Sequence, residues 1–285
     1  MRRVMMTILV VFILIGAIRA EFTSDFEGFL KRNYGAEFAE QMTRIDMGPG
    51  PLGSFGGKFN AEEEISKRPI VFIHGVTSRA SFFLPHIEFF RKHNYSLANL
   101  YATTYADGGR TPMVLMDMRC EDVILIRNFT RAVAAYTNST VNIIAHSMGV
   151  GIGRKAILGG SCVDTEEFLG GPLTHLVENF IGVAGVTYGL EYCPEFLHDC
   201  NKKNGLVCDS DFLIDVNSQS KKFEGNRTFV IYSPDDPIIG RKCCGHQCSD
   251  INFNDGMSRH PGLDHLGIVY FTMDVQLKLV EGGTI

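Results

Sequence analysis

Beyond its first twenty residues this 285-residue chain has no apolar run long enough to cross a bilayer, which argues against a polytopic membrane protein. It is also short of positive charge, with 27 Lys and Arg against 32 Asp and Glu. That balance argues against a nucleic-acid partner and against a polybasic membrane anchor. There is no internal repeat. There is no phosphate-binding loop either: the "GGK" at 56–58 runs into Phe59, where that motif needs Ser or Thr, and its spacing is wrong.

What is present begins with Arg2 and Arg3 ahead of an apolar run from Val4 to Ile18, followed by Ala20. Residues 1–20 read as a secretory signal peptide whose removal leaves no transmembrane anchor and an extracellular protein. A retained N-terminal anchor is the competing reading. Removing Arg2, Arg3 and Arg19 leaves about 24 basic residues against 32 acidic ones, a formal charge of about −8. The remaining length suits one α/β domain with a sizeable core.

Eight cysteines follow: Cys120, Cys162, Cys193, Cys200, Cys208, Cys243, Cys244 and Cys248. An even number in a secreted chain implies disulfides, whose pairing spacing alone does not give. The run "KCCGHQC" also offers Cys243, Cys244, His246 and Cys248 as zinc donors, but zinc knuckles are usually two separated pairs. Four N-glycosylation sequons, at Asn94, Asn128, Asn138 and Asn226, fit the same export route.

The periodicity predicts helix from Thr23 to about Ile45 with a break at Gly35, then a Gly/Pro-rich loop, "GPGPLGSFGG". Residues 21–68 thus form an N-terminal segment, and 69–285 an α/β domain. In that domain apolar strands, "IVFIH", "SLANLYATTY", "TVNIIAH", "LVENFIGVAG" and "RTFVIYS", alternate with helices over "SFFLPHIEFFRKH", 117–136 and Met148 to Leu158. A last helix is expected to carry Leu266, Val269, Tyr270, Met273, Leu277 and Val280 on one face. This alternation implies a mostly parallel sheet with helices on both faces and functional groups at the strands' carboxyl ends. His74, Ser147 and Asp236 each follow such a run, and His265 precedes the last helix.

Ser147 in "IIAHSMG" stands between a strand and a helix. A nucleophile there needs a strained turn with small residues two before and two after, and Ala145 and Gly149 supply them. Two other readings compete. Ser147 would cap the helix, or Gly151, Gly153 and Ala156 would match a dinucleotide loop, although a following strand and a ribose-binding acid are missing. A serine nucleophile needs a base and an acid to orient it. Asp236 in "IYSPDDPIIG" and His265 in "LDHLGIVY" follow in the order Ser, Asp, His. Asp235 reads as a solvated turn residue, and Asp264 is too close to His265 to orient it. His246 and His260 read as surface loop histidines. The backbone N–H groups of Met148 and Val76, the latter in "FIHGVTS", would form an oxyanion hole, with His74 orienting its loop.

The set "VFIHGV", "IIAHSMG", "IYSPDDPII" and "DHLGIVY", in this order, resembles the class 2 lipase family: small secreted bacterial triacylglycerol lipases and related nematode proteins. The resemblance covers roughly residues 69–282. It implies an α/β-hydrolase fold, hydrolysis of acylglycerol carboxylic esters, and Ser147, Asp236 and His265 as nucleophile, acid and base, with no cofactor or metal. The expected partner is a lipid or ester substrate, with a lipid–water interface as one place to meet it. The chain departs from compact bacterial members in its N-terminal helical segment, its cysteines and its polar excursion at 186–225. That excursion is expected to be a disulfide-stapled cap, with Phe196, Leu197, Phe212, Leu213 and Ile214 lining an acyl channel. The alternatives are a phospholipase, thioesterase or acyltransferase with the same triad, or a non-catalytic domain that binds lipid or protein.

Overall fold

The computed structural model describes residues 21–285. The expected signal peptide lies outside them. In chain order the elements are α1 (Ser24–Tyr34), α2 (Ala36–Thr43), β1 (Ser54–Phe55), β2 (Ile70–Ile73), α3 (Leu84–Arg91), β3 (Leu100–Thr103) and α4 (Cys120–Thr137). Then come β4 (Val141–His146), α5 (Met148–Leu158), β5 (Val177–Val183), α6 (Asp211–Asn217), β6 (Arg227–Tyr232), β7 (Lys242–Cys243), β8 (His246–Gln247), β9 (Gly256–Arg259), α7 (Gly267–Tyr270) and α8 (Met273–Val280).

Seven strands form one sheet in the order β1-β3-β2-β4-β5-β6-β9, and β7 pairs with β8 in a separate hairpin. Only the β1–β3 pairing in the large sheet is antiparallel. The central strands are buried along most of their length because both faces are covered. Alternation along β2 shows which helices cover which face. Phe72 stacks on Phe83 and meets Phe90 of α3, whereas Ile73 reaches Gly153 of α5. In mid-sheet, buried Asn179 of β5 donates to Asn142 of β4 at 2.7 Å, and Asn142 donates in turn to Val280 O at 3.3 Å.

The N-terminal segment breaks at Gly35, whose φ of 97° favours glycine. It is packed into the body: Phe22 stacks on Phe129 of α4, and Phe26 meets Tyr101 and Tyr136. The last helix differs from expectation. It breaks at Phe271 and Thr272 into α7 and α8. Leu266 is 55% exposed, while Thr272 and Gln276 are buried beside Ile268, Val269 and Leu279. Each buried polar group has a partner, Thr272 donating to Ile268 O at 2.6 Å and Gln276 to Val269 O at 2.8 Å.

All eight cysteines pair, as Cys120–Cys162, Cys193–Cys200, Cys208–Cys244 and Cys243–Cys248. The zinc alternative therefore fails, because its three sulfur donors are oxidised. Of the sequon asparagines, Asn94, Asn138 and Asn226 are exposed. Asn128 lies within α4, and the hydroxyl of its sequon, Thr130, is buried and donates to Ile126 O.

Candidate active site

Ser147 follows the last residue of β4, the central strand, and precedes α5. Its φ of 55° and ψ of −128° are the strained turn that the small neighbours were expected to permit. A Cβ added at Gly149 would lie 2.2 Å from His74 O, so glycine is required there. The Ser147 side chain makes no capping hydrogen bond to α5, which removes the helix-cap reading. The dinucleotide reading fails too. Gly151 and Gly153 lie inside α5 where added Cβ atoms would come within 2.9 Å of Met118 and Ile73 side chains, so close packing accounts for them.

His265 and Asp236 arrive from the loops after β9 and β6. His265 Nδ1–H donates to Asp236 Oδ2 at 2.7 Å, leaving Nε2 as the basic nitrogen. The other carboxylate oxygen, Oδ1, accepts the N–H groups of Ile238 and Ile239 at 2.8 and 3.1 Å. Burial would raise the Asp236 carboxyl. The hydrogen bonds and His265 outweigh it, and the group sits below the usual carboxylate range. Asp235 instead faces outward, pairing with Arg241 and accepting Gly262 N–H at 2.8 Å. Asp264 accepts the N–H of Gly267 at the start of α7. His260 pairs with Ser258 and His246 stacks on Tyr188, and neither is hydrogen-bonded to Asp236.

The loop after β2 abuts the serine turn: a Cβ added at Gly75 would come 2.9 Å from Ser147 Cβ. Among the described residues, neither Val76 N–H nor Met148 N–H has a protein acceptor. His74 holds this loop. Tyr105 N–H donates to its Nε2 at 3.1 Å, so its proton is on Nδ1, which donates to Gly75 O at 2.8 Å. Burial pushes the His74 pKa down to about 4, and its ring lies flat on Tyr105, so it is a neutral strut.

Two contributors escape sequence reasoning. Tyr105 sits at the end of the β3 run and reads as a core aromatic. His146 is overshadowed by the serine beside it, yet its ring packs 4.6 Å from that of His265. The excursion at 186–225 also differs in part. Phe196 is 86% exposed and Phe212 is in the core, while Leu213 and Ile214 line a cleft of about 270 Å³ with Tyr188 and His246 that includes none of Ser147, Asp236 and His265.

No curated protein matches the sequence. Among solved structures the chain is similar to Aspergillus fumigatus lipase B (TM-score 0.55, 14% identity), covering 78% of this chain and 55% of that one. The chain thus spans about half the length of that lipase. It is similar also to the mature form of Bacillus licheniformis lipase BlEst2, at TM-score 0.53 and 14% identity, covering 81% of this chain and 99% of that one. These neighbours share the fold, an α/β-hydrolase. Residues 67–278, most of the chain, match the family described as lipase (class 2), and the chain belongs to that family.

Proposed function

We propose that this chain is a secreted lipase that hydrolyses acylglycerol carboxylic esters, with Ser147 as nucleophile, His265 as general base and Asp236 as the acid that orients it. The observation that carries the reading is the pairing of His265 Nδ1 with a buried Asp236, with the His265 ring 4.6 Å from that of His146, the neighbour of a serine held at positive φ between strand and helix. In this mechanism His265 Nε2 takes the Ser147 proton as Oγ attacks the acyl carbon. The tetrahedral oxyanion is held by the N–H groups of Val76 and Met148. The alcohol leaves with the proton from the imidazolium, and water activated by His265 hydrolyses the acyl-enzyme.

Four disulfides fit an oxidising compartment. Residues 186–225 act in this reading as a fixed cap. Its own Cys193–Cys200 bridge and the Cys208–Cys244 bridge to the hairpin after Asp236 support that role, as does the Lys155–Asp215 ion pair that joins α5 to α6.

Ser147→Ala tests the reading. It is expected to lower esterase activity about 10⁴-fold or more in a folded protein, and to abolish labelling by a phosphonate probe. Undiminished turnover would end the proposal. Assays on triglyceride, phospholipid and acyl thioester side by side test the substrate class.

A further inference from the structure

We propose that His146, the residue immediately before the candidate nucleophile, is a positioning residue for the base: its ring clasps the backbone of His265 and ties the loop carrying the base to the strand carrying the serine. The inference rests on the triad reading above and adds a part to it.

The geometry is specific. His146 Nε2 lies 3.2 Å from the backbone carbonyl oxygen of His265. A carbonyl oxygen can only accept, so Nε2 carries the proton and Nδ1 is bare. The His146 ring lies nearly parallel to Phe82 at 5.2 Å on one side and meets the His265 ring at 4.6 Å. It is 4% exposed, at the carboxyl end of the central strand. His265 is therefore held twice, through its ring by Asp236 and through its backbone by His146.

The remaining groups around His146 keep it in this state. Nδ1 has no hydrogen-bond partner among the described residues. A Cβ added at Gly75 would come 3.2 Å from it, so Nδ1 faces the glycine of the candidate oxyanion loop. The ionisable neighbours are His265, Asp236 and, farther off, His86. Burial, with help from His265, holds the His146 pKa down to about 3. The ring consequently stays a neutral donor across neutral and mildly acidic pH and adds no positive charge against the imidazolium that forms on His265.

A backbone clasp of this kind acts on the placement of Nε2 relative to the serine, so its loss falls on turnover. Misplacement of a reacting group by about 1 Å costs on the order of 100-fold in rate. The test compares His146→Leu, which removes the donor, with His146→Gln, whose amide nitrogen reaches about as far from Cα as Nε2. The probe is a soluble short-chain p-nitrophenyl ester, and melting temperature is measured in parallel. Expected are a roughly 10- to 100-fold lower kcat for His146→Leu with KM within about twofold, and recovery of most of that loss in His146→Gln. If His146→Leu does not fold, His146→Asn replaces it, since its shorter amide falls short of the carbonyl and is expected to lose kcat where Gln does not. A kcat for the donor-less variant within about twofold of the parent, or equal losses in the Gln variant and the donor-less one, overturns the proposal. Ser147→Ala measured alongside separates the two levels: if it retains activity the triad reading fails, and if it is dead while His146→Leu is active, only the clasp fails.

Discussion

Asp122 offers a quantitative test of how the fold carries an ill-placed charge. It lies in the first turn of α4, 2% exposed, with Oδ1 accepting Ala106 N–H at 2.7 Å. Among the described residues Oδ2 has no hydrogen-bond partner, and Arg119 Nε is 3.4 Å away on a side chain that is 40% exposed and so only weakly compensating. Burial pushes the carboxyl up from 3.8 to about 6. The folded protein therefore holds a proton that the unfolded chain has lost between those two values. Stability falls as pH rises through that window, by about 3 kcal/mol once both states are ionised. Asp122→Asn keeps an acceptor for Ala106 and cannot ionise. Relative to the parent protein it should gain about 3 kcal/mol between pH 3 and pH 7, read by urea unfolding at unit pH steps with the disulfides intact. Carboxylates held low, such as Asp236, contribute the opposite slope but are present in both proteins and cancel in the difference. A stability difference that stays constant across pH would refute the reasoning. The variant should also keep its esterase rate within about twofold, since the Ala106 contact survives.

Asp236→Asn should cost on the order of 10⁴-fold in kcat, because a neutral amide neither fixes the His265 tautomer nor stabilises its imidazolium, while Asp235→Asn should cost only a few-fold. The reverse ranking in steady-state assays would move the acid by one residue. Gly149→Ala puts a Cβ 2.2 Å from the backbone oxygen of His74, and should destabilise by about 3 kcal/mol or more in a calorimetric scan. A drop in stability below about 0.5 kcal/mol would show that the serine turn has room. If residues 186–225 are a fixed cap, initial rate against tributyrin should cross the solubility limit without a jump in the oxidised protein, and a steep jump there counts against it.

Much of this arrangement was legible because the physics that builds it is local. "VNIIAH" is a buried parallel strand by its apolar run, and α5 begins at Met148 and ends at Leu158, as its pattern predicts. Elements that break local rules were not legible. β9, "GMSR", is an edge strand without a buried residue, so it carries no apolar signature. β1 is two residues inside a glycine-rich loop. The last helix hides its true face because Thr272 and Gln276 occupy core positions, Gln276 meeting His86 at 3.1 Å. At the site, the order of Ser147, Asp236 and His265 could be read along the chain. Asp236 is preferred to Asp235 on sequence because Asp235 reads as a solvated turn residue, whereas the tertiary contact that goes with this, the pairing of Asp235 with Arg241 on the outer side, was not legible. Cysteine pairing was beyond reach for the same reason, since Cys208 and Cys244 meet only through the folded excursion.

The Cys120–Cys162 bridge has a topological consequence. Cys120 opens α4 and Cys162 follows α5, so the bond closes a covalent ring around α4, β4 and α5. Inside that ring the two helices are already clasped, with Arg127 Nη1 donating to Ala156 O at 2.7 Å. The turn that carries Ser147 thus lies inside a tethered segment, and β4, which pairs with β2 on one side and β5 on the other, is part of a segment held at both ends by that bond. A chain that lost its outer strands on heating would keep α4, β4 and α5 tied for as long as the bridge stays oxidised, which limits the conformations open to that segment before refolding.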